Sequence, residues 1–211
     1  MSGYQFSWHD LRLEARASGA LWWPEGRWLI VADLHLGKSE RMARRGGALL
    51  PPYEGLATLE RLKAEVDALD PATVISLGDG FDDDAATDAL TEPVRSLLHG
   101  LMTGRDWHWI AGNHDPAGGV AEARIGNVTL RHEAGNGPDI SGHYHPALRL
   151  GGRRARAFLI GSDHLILPAF GAYTGGLDAS TPVLRGLIGE GIAVLCLHRA
   201  LPVPLAAARS I

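Results

Sequence analysis

The sequence predicts an α/β protein with a βαβαβ first half and a mostly β second half. Three observations carry this expectation. Apolar runs end in Asp, Gly-Asp and Gly-Asn-His-Asp; two leucine-rich stretches at helical spacing lie between those runs; and the chain after Asp115 breaks into short β-branched runs and turns. At 211 residues the chain is long enough for one well-buried core, so one domain over 1–211 is expected. A hydrophobic content of 45% with 21% charged residues sets aside disordered and fibrous classes.

The elements follow in order. Phe6, Trp8, Leu11 and Leu13 alternate imperfectly with polar residues. "LWWPEGRWLIVAD" then shows two apolar runs around Pro24-Glu25-Gly26, a hairpin signal whose second run ends at Asp33. Leu56, Leu59, Leu62, Val66 and Leu69 recur at helical spacing, with Pro51 and Pro52 as a start and Asp70-Pro71 as a stop. "TVISLGD" is a β-branched strand running into a glycine. Leu90, Val94, Leu97, Leu98 and Leu101 describe a second helix, with Pro93 tolerable only in its first turn. "WHWIAGNHD" is a strand that ends in a Gly-Asn turn, and "NVTLRH", "DISGHYH", "RAFLIG", "HLILPAFG" and "GIAVLCLH" are the later strands. The segment 171–176, Gly-Ala-Tyr-Thr-Gly-Gly, is the most loop-like of the second half, a lid or a wide turn; Trp22 and Trp23 suit a core or an interface between copies.

The net charge of -4 argues against polyanion binding by bulk charge, so any nucleic-acid contact must be local. Cys196 lies in the apolar run 192–197 and reads as a small buried hydrophobe. Asp10, Arg12, Glu14 and Arg16 interrupt the opening stretch, which has no apolar run of signal-peptide length, and no segment is long enough to span a bilayer. The expected compartment is the cytoplasm, without membrane association.

Polar residues of metal-ligand type close three successive strands: Asp33 and His35, then Asp79, then Asn113, His114 and Asp115. Strand ends in α/β units meet along one edge, where ligands bind. The i, i+2 spacing of Asp33 with His35 and of His143 with His145 puts both side chains on one face if the chain is extended, and Gly142 lets the backbone approach closely. Each motif alone is weak; their chain order is not.

In that order, "DLH", "GDGFD", "GNHD", "RH" and "GHYH" resemble the signature of the calcineurin-like metallophosphoesterase superfamily. A narrower resemblance, carried by "WPEGRWLIVADLHLGK", "RRGGALLP" and "LPAFGAYTGG", is to the bacterial DNA-ligase-associated metallophosphoesterases (PdeM). The resemblance implies a metallophosphoesterase fold, a two-layered β sandwich flanked by α-helices, with two divalent metal ions at one edge. By position, one ion takes Asp33, His35 and His145, the other Asn113, His132 and His143, and Asp79 bridges them. His132 falls on the isolated histidine of the signature and is the only histidine between His114 and His143. Oxygen and imidazole ligands without thiolate suit manganese, with iron or zinc as alternatives.

The chemistry implied is phosphodiester hydrolysis. A hydroxide bridging the two ions attacks phosphorus, His114 protonates the leaving alkoxide and Asp115 orients the His114 imidazole. Asp82 is a candidate to orient a ligand from behind, and Asp83 and Asp84 read as a solvated loop. The ligase-associated pattern has Leu, Phe, His after the Gly-Asp pair, whereas this chain has Gly80, Phe81 and Asp82, which leaves metal tuning and substrate preference open. Lys38, Arg41, Arg44 and Arg45 would form one basic strip on a helix, tracking a DNA backbone or simply solvated, and Arg149, Arg153, Arg154 and Arg156 could extend it. Only 27 residues separate Asp115 from His143, too few for a capping domain, so an open site is expected. The family resemblance implies DNA as substrate and DNA ligase, helicase and exonuclease partners in repair; a homo-oligomer is also compatible. A phosphodiesterase for small or cyclic diesters, or a non-catalytic interaction module, are the alternative readings.

Overall fold

The imperfect alternation at the start of the chain has a simple cause. In the computed structural model, which describes residues 3–44, 46 and 53–206, β1 (Tyr4–Trp8) and β2 (Leu11–Ala15) pair antiparallel with Trp8 opposite Leu11. The two residues between them, His9 and Asp10, have φ of 44° and 65°. Two left-handed residues in a two-residue loop form the hairpin turn that matches strand twist, and that turn shifts the alternation by its own length.

β3 (Leu21–Trp23) and β4 (Trp28–Val31) form the hairpin expected around Pro24-Glu25-Gly26. α1 (Lys38–Arg44) and α2 (Glu54–Leu69) follow. Pro51 and Pro52, the expected helix start, lie outside the described residues. α2 ends where expected, at Asp70, whose left-handed φ of 45° accompanies its N–H bond to the Val66 carbonyl. β5 (Thr73–Leu77), α3 (Ala86–Ala89), α4 (Glu92–Met102) and β6 (Asp106–Ile110) complete the first half. Pro93 sits in the first turn of α4, but Leu90 falls before that helix, at the end of α3. The first sheet runs β1-β2-β3-β4-β5-β6, with β4, β5 and β6 parallel.

The second half contributes β7 (Glu122–Ile125), β8 (Val128–Arg131), β9 (Asp139–Ser141), β10 (Ala147–Leu150), β11 (Arg153–Ile160), β12 (His164–Ile166), α5 (Pro182–Ile188), β13 (Ile192–Cys196) and β14 (Ala200–Pro204). Their order is β14-β13-β11-β12-β9-β8-β7, with β10 paired to β11. Helix α5 departs from a reading of strands and turns alone. It is only seven residues long and buries just Leu184 and Ile188, one turn apart, which is too short a pattern to separate from a strand.

Period-two alternation assigns each strand's side chains to two layers. Ile30, Ile75 and Leu77 face the second sheet and pack with Leu130, Ile140, Phe158 and Val194. Leu29, Val31 and Val74 point the other way, onto Leu59, Leu62, Val94 and Leu98 of α2 and α4. On the far side, Leu159, Ile166 and Leu195 meet Leu184 and Ile188 of α5. Each fully buried aliphatic side chain here contributes about 1.5–3 kcal/mol. The result is the α/β/β/α layering expected. Trp22 belongs to the helix-side core, and the half-buried Trp23 meets Trp28 edge-on at 5.5 Å between ring centroids.

Candidate metal centre

β4, β5 and β6 are parallel, so their C-terminal ends lie side by side and deliver Asp33 and His35, Asp79, and Asn113 with His114 to one edge. The backbone stays paired past the strands: the N–H of Asp33, His35 and Leu36 donate to the carbonyls of Gly78, Asp79 and Gly80. The second sheet supplies the rest, with His132 following β8 and His143 and His145 following β9. Gly142 is the contact point between sheets, because a Cβ there would lie 2.5 Å from Asp33 Oδ2 and 2.7 Å from Ala32 Cβ.

The ligand pairs do not converge through extended chain. Asp33, His35, Asp79, His143 and His145 have φ of 54°, 48°, 45°, 67° and 47°. Alternate residues in the left-handed region turn each loop back on itself, and the intervening Leu34 is fully buried while Tyr144 packs at the edge of the α5-side core. For residues with a Cβ this conformation costs on the order of 1–3 kcal/mol each, a burden found mainly at functional sites.

The candidate ligand atoms gather in two groups. In the first, His145 Nε2 lies 3.4 Å from both Asp33 Oδ1 and His35 Nε2. In the second, Asn113 Oδ1 lies 2.9 Å from His132 Nε2 and 3.0 Å from His143 Nδ1. Asp79 Oδ2 stands between them, 3.9 Å from His35 Nε2 and 3.6 Å from His132 Nε2. All seven sequence-predicted ligands are therefore together, with Asp79 central.

Protons tell what fits there. His35 Nδ1 donates to Asp82 Oδ1 at 3.0 Å and His132 Nδ1 donates to the Leu77 carbonyl at 3.1 Å. Each ring has its one proton engaged behind it, so its Nε2 presents a lone pair to the centre. His132 Nε2 then faces the Asn113 carbonyl oxygen, acceptor against acceptor, an arrangement that a cation resolves. Burial, reinforced by the neighbouring His132, holds the His143 imidazole below its ordinary pKa, which favours the neutral ligand form. Three overlapping Asp/His groups have ligand atoms close enough to share an ion: Asp33 with His35 and His145, His35 with Asp79 and His114, and Asp33 with Asp79 and His132. The donor set fits divalent metal.

His114 sits at the mouth. Its backbone N–H donates to Asp79 Oδ1 at 2.9 Å and its Nε2 lies 4.0 Å from Asp79 Oδ2. The expectation that Asp115 orients this imidazole is corrected here: Nδ1 donates to the Asp82 backbone carbonyl at 3.0 Å. The Asp115 carboxylate instead accepts from the N–H of Phe81 and Gly112 at 3.0 and 3.1 Å, tying the post-β5 and post-β6 loops together. Burial raises its pKa, with those two donors opposing. A carboxylate three residues from Gly112 closes a tight turn more readily than it reaches back around its neighbour's ring.

Asp82 is fully buried and also forms an ion pair with Arg41. Burial alone would raise its pKa, but the His35 hydrogen bond and the charges of Arg41 and Lys38 bring it below the usual carboxylate range. Lys38, Arg41 and Arg44 do lie on one helix, α1. Arg44 pairs with Asp83 at 2.9 Å, so both described arginines are matched by the acidic loop, whereas Lys38 forms no ion pair among the described residues. Arg45 lies outside those residues. β10 and β11 form the basic hairpin, but Arg156 donates to the Ala169 and Phe170 carbonyls and Arg154 to that of Gly176, so these two brace the chain after β12.

One residue had no sequence signal. Glu54, first in α2 and 1% exposed, accepts the Ser39 N–H at 3.3 Å and so caps the start of α1 from a neighbouring helix. Burial pushes its pKa up to about 7.

No curated protein matches this chain. Among solved structures, the chain is similar to the nuclease MPE of Pseudomonas putida, at 26% identity and a TM-score of 0.75 over 96% of this chain and 100% of that one. The family model for calcineurin-like phosphoesterases matches residues 26–200, which include every candidate ligand. With that model spanning most of its length and the Asp/His groups assembled where its strands end, the chain belongs to the calcineurin-like phosphoesterase family.

Proposed function

We propose that this protein is a binuclear-metal-dependent phosphodiesterase that cleaves DNA, with manganese as the working metal. The observation that carries the reading is the pair of lone-pair clusters sharing Asp79 Oδ2, with the His114 Nε2 beside them. Two divalent ions at such a site supply charge neutralisation for a phosphodiester and a water nucleophile ionised near neutral pH. Asp33, His35 and His145 would hold one, Asn113, His132 and His143 the other, and Asp79 both.

The chain's own groups do the rest. His114, its Nδ1–H on the Asp82 carbonyl, turns Nε2 to the centre, and as the imidazolium it would give its Nε2 proton to a leaving alkoxide. Asp82 locks the His35 ring. Lys38, three residues beyond His35 and without a carboxylate partner among the described residues, is the cation available to a flanking phosphate. Structural likeness to a nuclease supports a polymeric substrate. A role in DNA repair beside ligase, helicase and exonuclease partners, in the cytoplasm, belongs to this proposal; no helix among the described residues is long and apolar enough to cross a membrane.

The test is hydrolysis of bis-p-nitrophenyl phosphate and of labelled single-stranded DNA by metal-stripped protein, with and without added manganese, beside His145→Ala. Manganese-dependent cleavage of both, lost in the variant, is the expected result. Cleavage of the aryl diester alone would move the reading to small-diester hydrolysis, and cleavage of neither would remove enzymatic function.

A further inference from the structure

Tyr53 and Tyr173 are 69% and 57% exposed, the only aromatic residues among the exposed large hydrophobic side chains of the described residues. Tyr173 stands beside the candidate metal centre. Tyr173 has a φ of 55° within the segment 171–176, which is a wide turn pinned to the ligand loops. Phe170 and Gly171 donate their N–H to the carbonyls of Ala32 and Asp33 at 2.7 and 3.0 Å, and Leu177 donates to Tyr144 at 3.2 Å. A Cβ on Gly176 would collide with the His145 carbonyl, so the turn lies directly against the second ligand loop. Lys38 Nζ donates to the Tyr173 carbonyl at 3.4 Å. Tyr53 precedes Glu54, which accepts the Ser39 N–H at 3.3 Å, and Thr58, one turn after Glu54, accepts the Ala172 N–H at 2.9 Å, so the start of α2 lies against this turn.

A ring carried on a turn pinned to the ligand loops, left open to solvent, and set beside a cation and a proposed phosphodiester-cleaving centre has the attributes of a base-stacking platform. The geometry points to Tyr173 as the residue on which an unpaired base next to the scissile phosphate stacks, with Lys38 on the adjoining phosphate and Tyr53 further along the strand. This rests on the nuclease reading above. A paired base has both faces covered by its neighbours, so the platform selects single-stranded or unstacked DNA.

The experiment compares kcat and KM, with manganese, for a single-stranded oligonucleotide and for its counterpart carrying abasic sites around the cleaved linkage. The proteins are wild type, Tyr173→Ala and Tyr173→Phe, with bis-p-nitrophenyl phosphate as a check on the centre. For wild type the base-bearing strand should have a KM about 5- to 150-fold lower, the range expected for one base–aromatic stack. Tyr173→Ala should erase that difference without changing the abasic rate, and Tyr173→Phe should keep it. Equal losses on both strands would assign Tyr173 a structural role and overturn the inference, as would a preference that survives Tyr173→Ala. If wild type cleaves the aryl diester but neither strand, the nuclease reading itself fails; if it cleaves both strands without regard to bases, only the platform fails.

Discussion

Replacing Asp82 tests whether the metal centre depends on groups behind its ligands. Its carboxylate is buried, accepts the His35 Nδ1–H at 3.0 Å and pairs with Arg41. Asp82→Asn preserves shape and an acceptor for His35 but removes the charge, and charge-assisted hydrogen bonds are about twice as strong as neutral ones. Groups that orient a metal-binding histidine are typically worth about 10- to 100-fold in metal affinity, or about 1.4–2.7 kcal/mol. Asp82→Asn should fall in the lower part of that range. Asp82→Ala should cost more, because the buried Nδ1–H is then left without a partner, a further penalty of about 1–3 kcal/mol. Arg41→Ala, which leaves the His35 bond intact, should cost least. Calorimetric titration of manganese into metal-stripped protein measures all three. A dissociation constant for Asp82→Ala within twofold of wild type would refute the argument that this carboxylate orients His35.

Three further outcomes follow from the same geometry. His114→Ala should lower kcat about 10²- to 10⁴-fold while manganese affinity changes little; a comparable loss of affinity would make His114 a ligand instead. Glu54, with its pKa pushed up to about 7 from 4.5, binds its proton more tightly folded than unfolded, so the stability it contributes is full below about pH 4.5 and is lost as pH rises through about 7. Glu54→Gln should therefore be more stable than wild type at pH 8, by up to about 3 kcal/mol, and equal to it near pH 4; parallel urea-unfolding profiles across that range would contradict this. Gly142→Ala, whose Cβ would press on Asp33 Oδ2 at 2.5 Å, should weaken metal binding with no change in far-ultraviolet circular dichroism, and wild-type affinity in that variant would show that the close approach is dispensable.

That the candidate ligands gather at one edge was legible in sequence because strand ends are marked by abrupt change: "WLIVA" stops at Asp33 and "VISLG" at Asp79. What spacing could not express was backbone sign. The i, i+2 pairs converge through left-handed residues, a conformation uncommon for residues other than glycine and one that the spacing of side chains does not announce. The same limit explains Asp115, next to His114 in sequence yet bonded elsewhere, since adjacency says nothing about which way a loop carboxylate turns. The basic strip on α1 was visible as a pattern, but its pairing with Asp82 and Asp83 is a contact across about forty residues. Glu54 left no trace, because its burial depends on how α1 and α2 meet.

The division of ligands between sheets has a consequence for folding. The first sheet's loops carry Asp33, His35, Asp79 and Asn113, and the second sheet's carry His132, His143 and His145, so neither sheet alone would supply the complete set proposed for either ion. On the proposed two-metal reading, bound metal would act as a clasp across the open end of the sandwich, stabilising the docked arrangement by an amount that grows with the logarithm of its concentration relative to its dissociation constant. Conversely, any loosening that lets one sheet slide on the other disperses the ligands before a single strand is lost. Hydrolysis should fail earlier than secondary structure on the way to unfolding, which makes catalysis the more sensitive report of sheet alignment.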